Sequence, residues 1–304
     1  MGRRITESQA LWIIIVVIIG VDALWARASG IRIDLSLRVA LAFCAVSGIH
    51  FVYATSRSNR RIEVLAAAGG QLAAFTAAAG ILSYLTATSR FPLVDGYLAA
   101  GDAAIGFDWL ALFKLLQNHP AVDLVLNLAY SSFLPQVFVL LIVLSVAGQF
   151  ERVREFVWLW VLTLLIIISL SWLMPAEGAW AYYGVAHLVD AYYLPDFFAL
   201  RSGEMREIVM AKATGIIQFP SFHAAVALIF IYTSRGIRIL FPVSVGLNAL
   251  MISSTPTCGG HHFSDVLAGL VVVPCAIMVL RWRRSARSRQ CSTEPLSYDA
   301  NTTR

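Results

Sequence analysis

Charged side chains are scarce in this sequence. Asp, Glu, Lys and Arg together make up 13% of its 304 residues, where a water-soluble globular chain carries about 25%. Too few polar groups remain to coat a water-facing surface, which excludes a soluble domain. A disordered chain and a coiled coil fail on the same ground. Cysteine is sparse too. Cys44, Cys258, Cys275 and Cys291 show no Cys-x-x-Cys spacing, which excludes a disulfide scaffold and leaves them as small apolar residues. No internal repeat and no low-complexity tract is visible. The net charge of +5 does not indicate nucleic acid, because the cations cluster beside apolar runs, as membrane anchoring requires.

Apolar residues are abundant, at 59% of the chain. A bilayer core takes roughly 20 consecutive apolar residues per helix. Candidate spans lie near 10–26, 36–55, 62–86, 122–148, 155–174, 220–234, 238–256 and 265–281. The expected fold class is an all-α polytopic transmembrane helical bundle of about eight spans, with six to eight admissible. Residues 91–120 mix Phe107, Trp109, Leu110 and Phe113 with Asp95, Asp102, Asp108 and Lys114, and glycines interrupt them. They predict short amphipathic helices in the outer interface. Residues 175–219 carry Trp180, Tyr182, Tyr183, Tyr192, Tyr193, Phe197 and Phe198, the pattern of an aromatic belt at headgroup depth. The expected organisation is N-terminal transmembrane helices over 1–90, an outer interfacial segment over 91–121, a helical core over 122–281 and a basic tail over 282–304.

Lys and Arg accumulate in cytoplasmic loops. With the N-terminus inside, the inner segments hold most of the 23 cations, among them Arg57, Arg60, Arg61, Arg152, Arg154 and the run from Arg281 to Arg289. Both termini are expected to be cytoplasmic, in a plasma or inner membrane. Arg3 and Arg4, an apolar run and Ala26-Arg27-Ala28 have the layout of a signal peptide. Asp22 inside that run favours a retained first helix.

Two segments place polar chemistry at one membrane face. Phe219-Pro220-Ser221-Phe222-His223 precedes the sixth span, and Gly259-Gly260-His261-His262-Phe263-Ser264-Asp265 precedes the last. The hairpin between them returns the chain to the outer face, so the two become neighbours. Pro220 suits a first helical turn. The free N–H groups of that turn, the Ser221 hydroxyl and the helix dipole make an anion site, with His223 in reach. His261 and Asp265 are four apart, and if a helix begins there they share a face. Two histidines, a carboxylate and an anion cradle are the equipment for nucleophilic displacement at phosphorus. Zinc ligation by His223, His261, His262 and Asp265 is an alternative, but it leaves Ser221 and the helix terminus without a role.

Pro220-Ser221-Phe222-His223 resembles the Pro-Ser-x-His motif of the phosphatidic acid phosphatase type 2 superfamily. His261 through Asp265 to Gly269 resembles its terminal His-x-x-x-Asp-x-x-x-Gly motif. The Phe-Pro-Ser-Phe-His form is closest to the branch of inositol phosphorylceramide synthases. Asp102, Asp108, Trp109 and the stretch from Tyr130 to Gln136 resemble that branch more weakly. The resemblance implies His261 as nucleophile forming a phosphohistidine, Asp265 as its orienting partner, His223 as general acid and Ser221 as a phosphate ligand. It also implies a reaction without metal or cofactor. The superfamily's Lys-x6-Arg-Pro motif is absent, and Thr255 stands six residues before His261, where an Arg is usual. Arg201, then Arg206 and Lys212, are the outer cations that would replace them as phosphate ligands.

The expected function is therefore a membrane lipid phosphatase or phosphotransferase. Its substrate would be a lipid phosphate, phospholipid or polyprenyl phosphate at the outer leaflet. The acceptor would be water or a lipid alcohol, the latter as in an inositol phosphorylceramide synthase. A proton-coupled transporter or lipid flippase using Asp22, His50 and the histidines is the rival. The absence of repeats and the placement of polar groups at one face rather than the midplane weigh against it.

Overall fold

The structure, a computed structural model, describes residues 6–35 and 59–292, with 44, 45, 48, 51–53 and 55 between them. The expected span over 36–55 lies largely outside the described residues. Helix α1 covers Glu7–Ser29; Thr6 caps it in a reciprocal capping box with Gln9, and Gly30 ends it in the left-handed conformation. Helix α2, Arg60–Ala87, begins at the Asn59 cap. Its many Ala and Gly residues let neighbouring backbones approach closely, the usual basis of packing in lipid. Gln71 of α2 donates to Ser8 Oγ of α1 at 2.8 Å, and Thr76 accepts from the Trp160 indole at 3.2 Å.

Short helices follow: α3, Asp95–Ala104; α4, Trp109–Gln117; α5, Pro120–Ser131; and α6, Phe133–Val146. The single span expected over 122–148 is a pair, α5 and α6, bent by 48°. Pro135 accounts for the break: it has no N–H for the Ser131 carbonyl, and its ring crowds that carbonyl. The bend brings Tyr130 and Phe133 inward. Helix α7, Phe150–Leu173, lies at the bundle centre with Phe156, Leu159 and Ile167 fully buried.

The short α8, Ala179–Tyr182, and α9, Leu194–Ser202, precede α10, Phe222–Ser234, α11, Leu240–Cys258, and α12, Phe263–Ser292. Among the described residues, α1, α2, α7 and the Phe263–Arg283 part of α12 are long and apolar enough to cross a bilayer, and the bent pair makes a fifth. Large apolar side chains such as Val16, Leu24, Leu128, Phe138, Val271 and Met278 face outward, as only a lipid surrounding allows. The protein is an all-α polytopic membrane protein. Helix α10 has 13 residues, about 20 Å of rise against a hydrocarbon core of about 30 Å. Its first turn therefore stops short of a full crossing.

Arg60 sits over Phe150, Arg283 over Trp158, and Arg235 pairs with Glu155 at 2.9 Å. These cations gather at the end of the bundle opposite α3, α4, α8 and α9. Those short helices cover the other end. The strand Arg32–Asp34 (β1) joins this cover by pairing in parallel with Glu207–Val209 (β2). Trp109, Phe113, Trp180, Tyr193 and Phe197 form a second apolar core there. Several aromatics expected in a headgroup belt are thus packed inside. The reason is local. The Trp180 indole donates to the Thr257 carbonyl at 3.1 Å, and Trp109 to the carbonyls of Pro256 and His261 at 3.2 and 3.0 Å. They satisfy the last carbonyls of α11, which have no helical partner, and that of His261 in the loop beyond it. Tyr182 and Phe198 remain exposed.

Candidate active site

Ser221 is the N-cap of α10, and its hydroxyl accepts from the Ala224 N–H at 3.4 Å. The helix proper begins at Phe222, so Pro220 precedes the cap instead of entering the first turn. His223 is the second helical residue. Its ring stacks on Tyr130 with centroids 4.2 Å apart and 12° between planes, and Phe133 lies 4.8 Å away. The Tyr130 hydroxyl is 3.3 Å from Nδ1. One nitrogen is thereby occupied, and Nε2 is left to a ring that lines the central cavity.

His261 Nδ1 lies 2.7 Å from the carbonyl of Gln218 and 3.4 Å from Asp265 Oδ2. A carbonyl can only accept, so Nδ1 carries the proton and Nε2 presents its lone pair. Nε2 is 3.3 Å from Ser221 Oγ. Helix α12 starts at Phe263, after His261. The i,i+4 pair therefore meets around a helix N-terminus instead of along a helix face. Asp265 Oδ2 also accepts the His262 N–H at 2.8 Å.

Close approach explains two glycines. A Cβ at Gly259 would stand 2.7 Å from both His261 Cδ2 and the Tyr130 hydroxyl, and one at Gly269 would stand 2.2 Å from the Ser221 carbonyl oxygen. Gly269 thus lets α12 lie directly against the Ser221 turn, whose N–H donates to the Asp265 carbonyl at 3.0 Å.

His262 does not face the cavity. Its ring is fully buried, with Nε2 3.4 Å from Asp95 and Nδ1 3.7 Å from Asp102. These are ion-pair rather than hydrogen-bond distances. Burial alone would lower its pKa, but the two facing carboxylates and the charge of Asp265 outweigh that and push it up to about 9. Burial would raise Asp102, but His262, the Ser264 hydroxyl and the N–H groups of Phe263 and Ser264 hold it below the ordinary carboxylate value. Asp95 accepts the N–H groups of Glu177 and Gly178 at 2.9 Å each. Asp102 accepts those of Phe263 and Ser264 at 2.9 and 2.7 Å. One imidazolium between two carboxylates thus joins α3, the 177–178 loop and the start of α12, directly beside His261.

His223, His261, Tyr130, Gln218 and Gly259 line a cavity of about 560 Å³ that extends between α2, α6 and α7 among apolar side chains. No Asp, Glu, Lys or Arg lines it. Arg201 lies outside the lining; its Nη2 donates to the Phe91 carbonyl at 2.8 Å, and its Nη1 is buried without a hydrogen-bond partner. Burial lowers its pKa, partly offset by Glu177. Lys212 is exposed, in the segment whose Met210, Ala213 and Thr214 line the cavity. Arg206 lines a separate pocket with Arg90. Thr255 is buried and donates to the Met251 carbonyl at 2.8 Å.

The structure thus brings His223, His261, Asp265 and Ser221 together, and leaves Arg201, Arg206 and Lys212 outside the cavity wall. Sequence reasoning missed the Gln218 carbonyl, which has no side-chain signature. Asp95 and Asp102 enter the sequence reading only as polar residues of the interfacial helices, Asp102 with a weak family resemblance, and neither is tied to a histidine there. Two carboxylates seven apart on one short helix, hence on one face, were the available signal.

A membrane-embedded helical bundle with two histidines at one cavity defines the class. The PAP2 superfamily model matches residues 96–279, more than half of the chain, and the chain belongs to that superfamily. No curated protein and no solved structure matches it. Members of the superfamily are generally phosphoesterases.

Proposed function

We propose that this protein is a lipid phosphatase or phosphotransferase that acts on a lipid phosphate or polyprenyl phosphate through a phosphohistidine. One observation carries the reading: two histidines, each with Nδ1 held by the protein, line one largely apolar cavity, and Nε2 of His261 meets the Ser221 hydroxyl at 3.3 Å. The cavity suits a long hydrocarbon tail. The phosphate would lie against the first turn of α10, where the Phe222 and His223 N–H groups have no helical carbonyl partner. Arg201, with its unpartnered Nη1, is the candidate cation for it, and Lys212 stands by the cavity's lining segment.

His261 Nε2 attacks phosphorus while the bond to the leaving oxygen breaks, and protonated His223 gives its proton to that oxygen. The imidazole of His261 gains positive charge, which Asp265 stabilises, while the Gln218 carbonyl keeps the Nδ1 proton in place. An acceptor O–H then attacks the phosphohistidine, its proton passes to His223, and the N–P bond breaks.

A lipid alcohol as acceptor, as in inositol phosphorylceramide synthases, is the second reading. The apolar, uncharged lining favours it, because such a wall keeps water scarce. The cations gathered at the opposite end support an extracytoplasmic site with both termini inside.

The test incubates purified protein and His261→Ala with phosphatidic acid, a polyprenyl phosphate and phosphatidylinositol, with and without ceramide or diacylglycerol. Released phosphate and new phospholipid are both counted. Wild type should yield one of them and the variant neither. No product from wild type across the panel would overturn the substrate class.

A further inference from the structure

A second pocket of about 310 Å³ lies apart from the histidines and shares no lining residue with their cavity. The ends of α1 and α2, the end of α9 and the start of β2 enclose it. Ser29, Thr88, Ser202, Arg90 and Arg206 supply its polar wall, with no Asp or Glu among the lining residues. Two guanidiniums on one small acid-free pocket repel each other unless an anion lies between them.

The Arg90 guanidinium and the Arg206 backbone are held in position. Arg90 adopts φ 57°, the left-handed region that residues other than glycine rarely occupy, and its Nη2 donates to the Ser202 carbonyl at 2.9 Å. The Arg206 carbonyl accepts the Arg32 N–H at 2.8 Å, which pins its backbone at the ribbon. Among the described residues, neither guanidinium has an acidic partner within salt-bridge distance.

The depth of the pocket is marked by aromatics. The Trp25 indole donates to Thr88 Oγ1 at 3.2 Å, and the Trp172 indole to Ser89 Oγ at 2.7 Å. Trp25, Trp172 and Phe91 form one edge-to-face cluster, with ring centroids 5.7 and 6.2 Å apart. Indoles at the ends of α1 and α7, bonded to the residues just past α2, are the signature of the headgroup layer.

We propose that Arg90 and Arg206 form a non-catalytic anion site that takes the phosphate headgroup of an anionic phospholipid from the surrounding leaflet. Guanidinium forks and hydroxyl donors match phosphate oxygens, and the depth matches where a lipid carries them.

Delipidated full-length protein in detergent would be titrated with phosphatidylglycerol, and separately with inorganic phosphate, with adducts counted by native mass spectrometry. Wild type and His261→Ala should bind phosphatidylglycerol equally. Arg90→Gln/Arg206→Gln should bind it about 25-fold more weakly, at about fivefold per arginine, while Arg90→Lys/Arg206→Lys retains most of the binding. If the double glutamine variant fails to fold, Arg206→Glu at its exposed position should show the loss alone. Equal binding by wild type and the glutamine variant would overturn the site. So would binding that disappears in His261→Ala instead. Arginine-dependent binding of inorganic phosphate without phosphatidylglycerol would overturn its assignment to lipid.

Discussion

His261 Nδ1 rests 2.7 Å from the Gln218 carbonyl, nearer than the 3.4 Å that separates it from Asp265. Orientation of the imidazole and stabilisation of its charge are therefore divided between two groups. The backbone fixes the tautomer, and the carboxylate faces the cation that forms when the ring attacks.

That division predicts the behaviour of Asp265→Asn. The ring keeps its orientation and loses only the facing charge. The kcat should fall by about 10²–10⁴ with KM little changed, measured by steady-state kinetics on phosphatidic acid. A rise in KM at unchanged kcat would place Asp265 in substrate binding instead.

Tyr130→Phe keeps the stack on His223 and removes the hydroxyl at Nδ1. A neutral hydrogen bond contributes about 1 kcal/mol, so kcat should drop about fivefold. The alkaline side of the pH–rate profile for kcat/KM should move, because His223 must be protonated to serve as the acid and its surroundings have changed. An unmoved profile would reduce Tyr130 to a packing residue.

The Asp95–His262–Asp102 clasp sets a pH window for stability. His262 is raised from 6.5 to about 9, so its contribution is complete below pH 6.5 and is lost as pH rises through 9. Asp102 is lowered from 3.8, so its contribution is present above that pH and is lost on acidification. Thermal unfolding of purified protein across pH should show a plateau with a decline toward pH 9. His262→Gln should lower the plateau by roughly 3 kcal/mol and flatten the alkaline decline. The same alkaline decline in the variant would refute the clasp.

Gly80 of α2 lines the cavity, and a Cβ there would meet no atom within 4 Å. Gly80→Leu should therefore fill the slot without straining the fold. Turnover of long-chain phosphatidic acid should fall at least tenfold while a short-chain analogue is processed as before. Equal turnover of both would show that the tail lies elsewhere.

Much of this was legible in the sequence. Long apolar runs with few charges can only be bilayer helices, and hairpin topology alone placed Ser221 and His223 beside His261 and Asp265. Three features were not legible. The bend at Ser132 depends on Pro135, which an apolar count does not register. By composition Trp109 fits an interfacial helix and Trp180 an aromatic belt, and only the carbonyls at and just beyond the end of α11 draw them inside. Asp95 and Asp102 gain their role from His262, more than 150 residues away in sequence, a pairing that no local spacing reveals.

The most direct test of the account is trapping the covalent intermediate. Wild-type protein quenched during turnover of phosphatidic acid labelled with radioactive phosphate should carry a label that is acid-labile and base-stable, mapping to His261 and absent from His261→Ala. Label retained on His261→Ala, or mapped to another residue, would contradict the assignment of His261 as nucleophile.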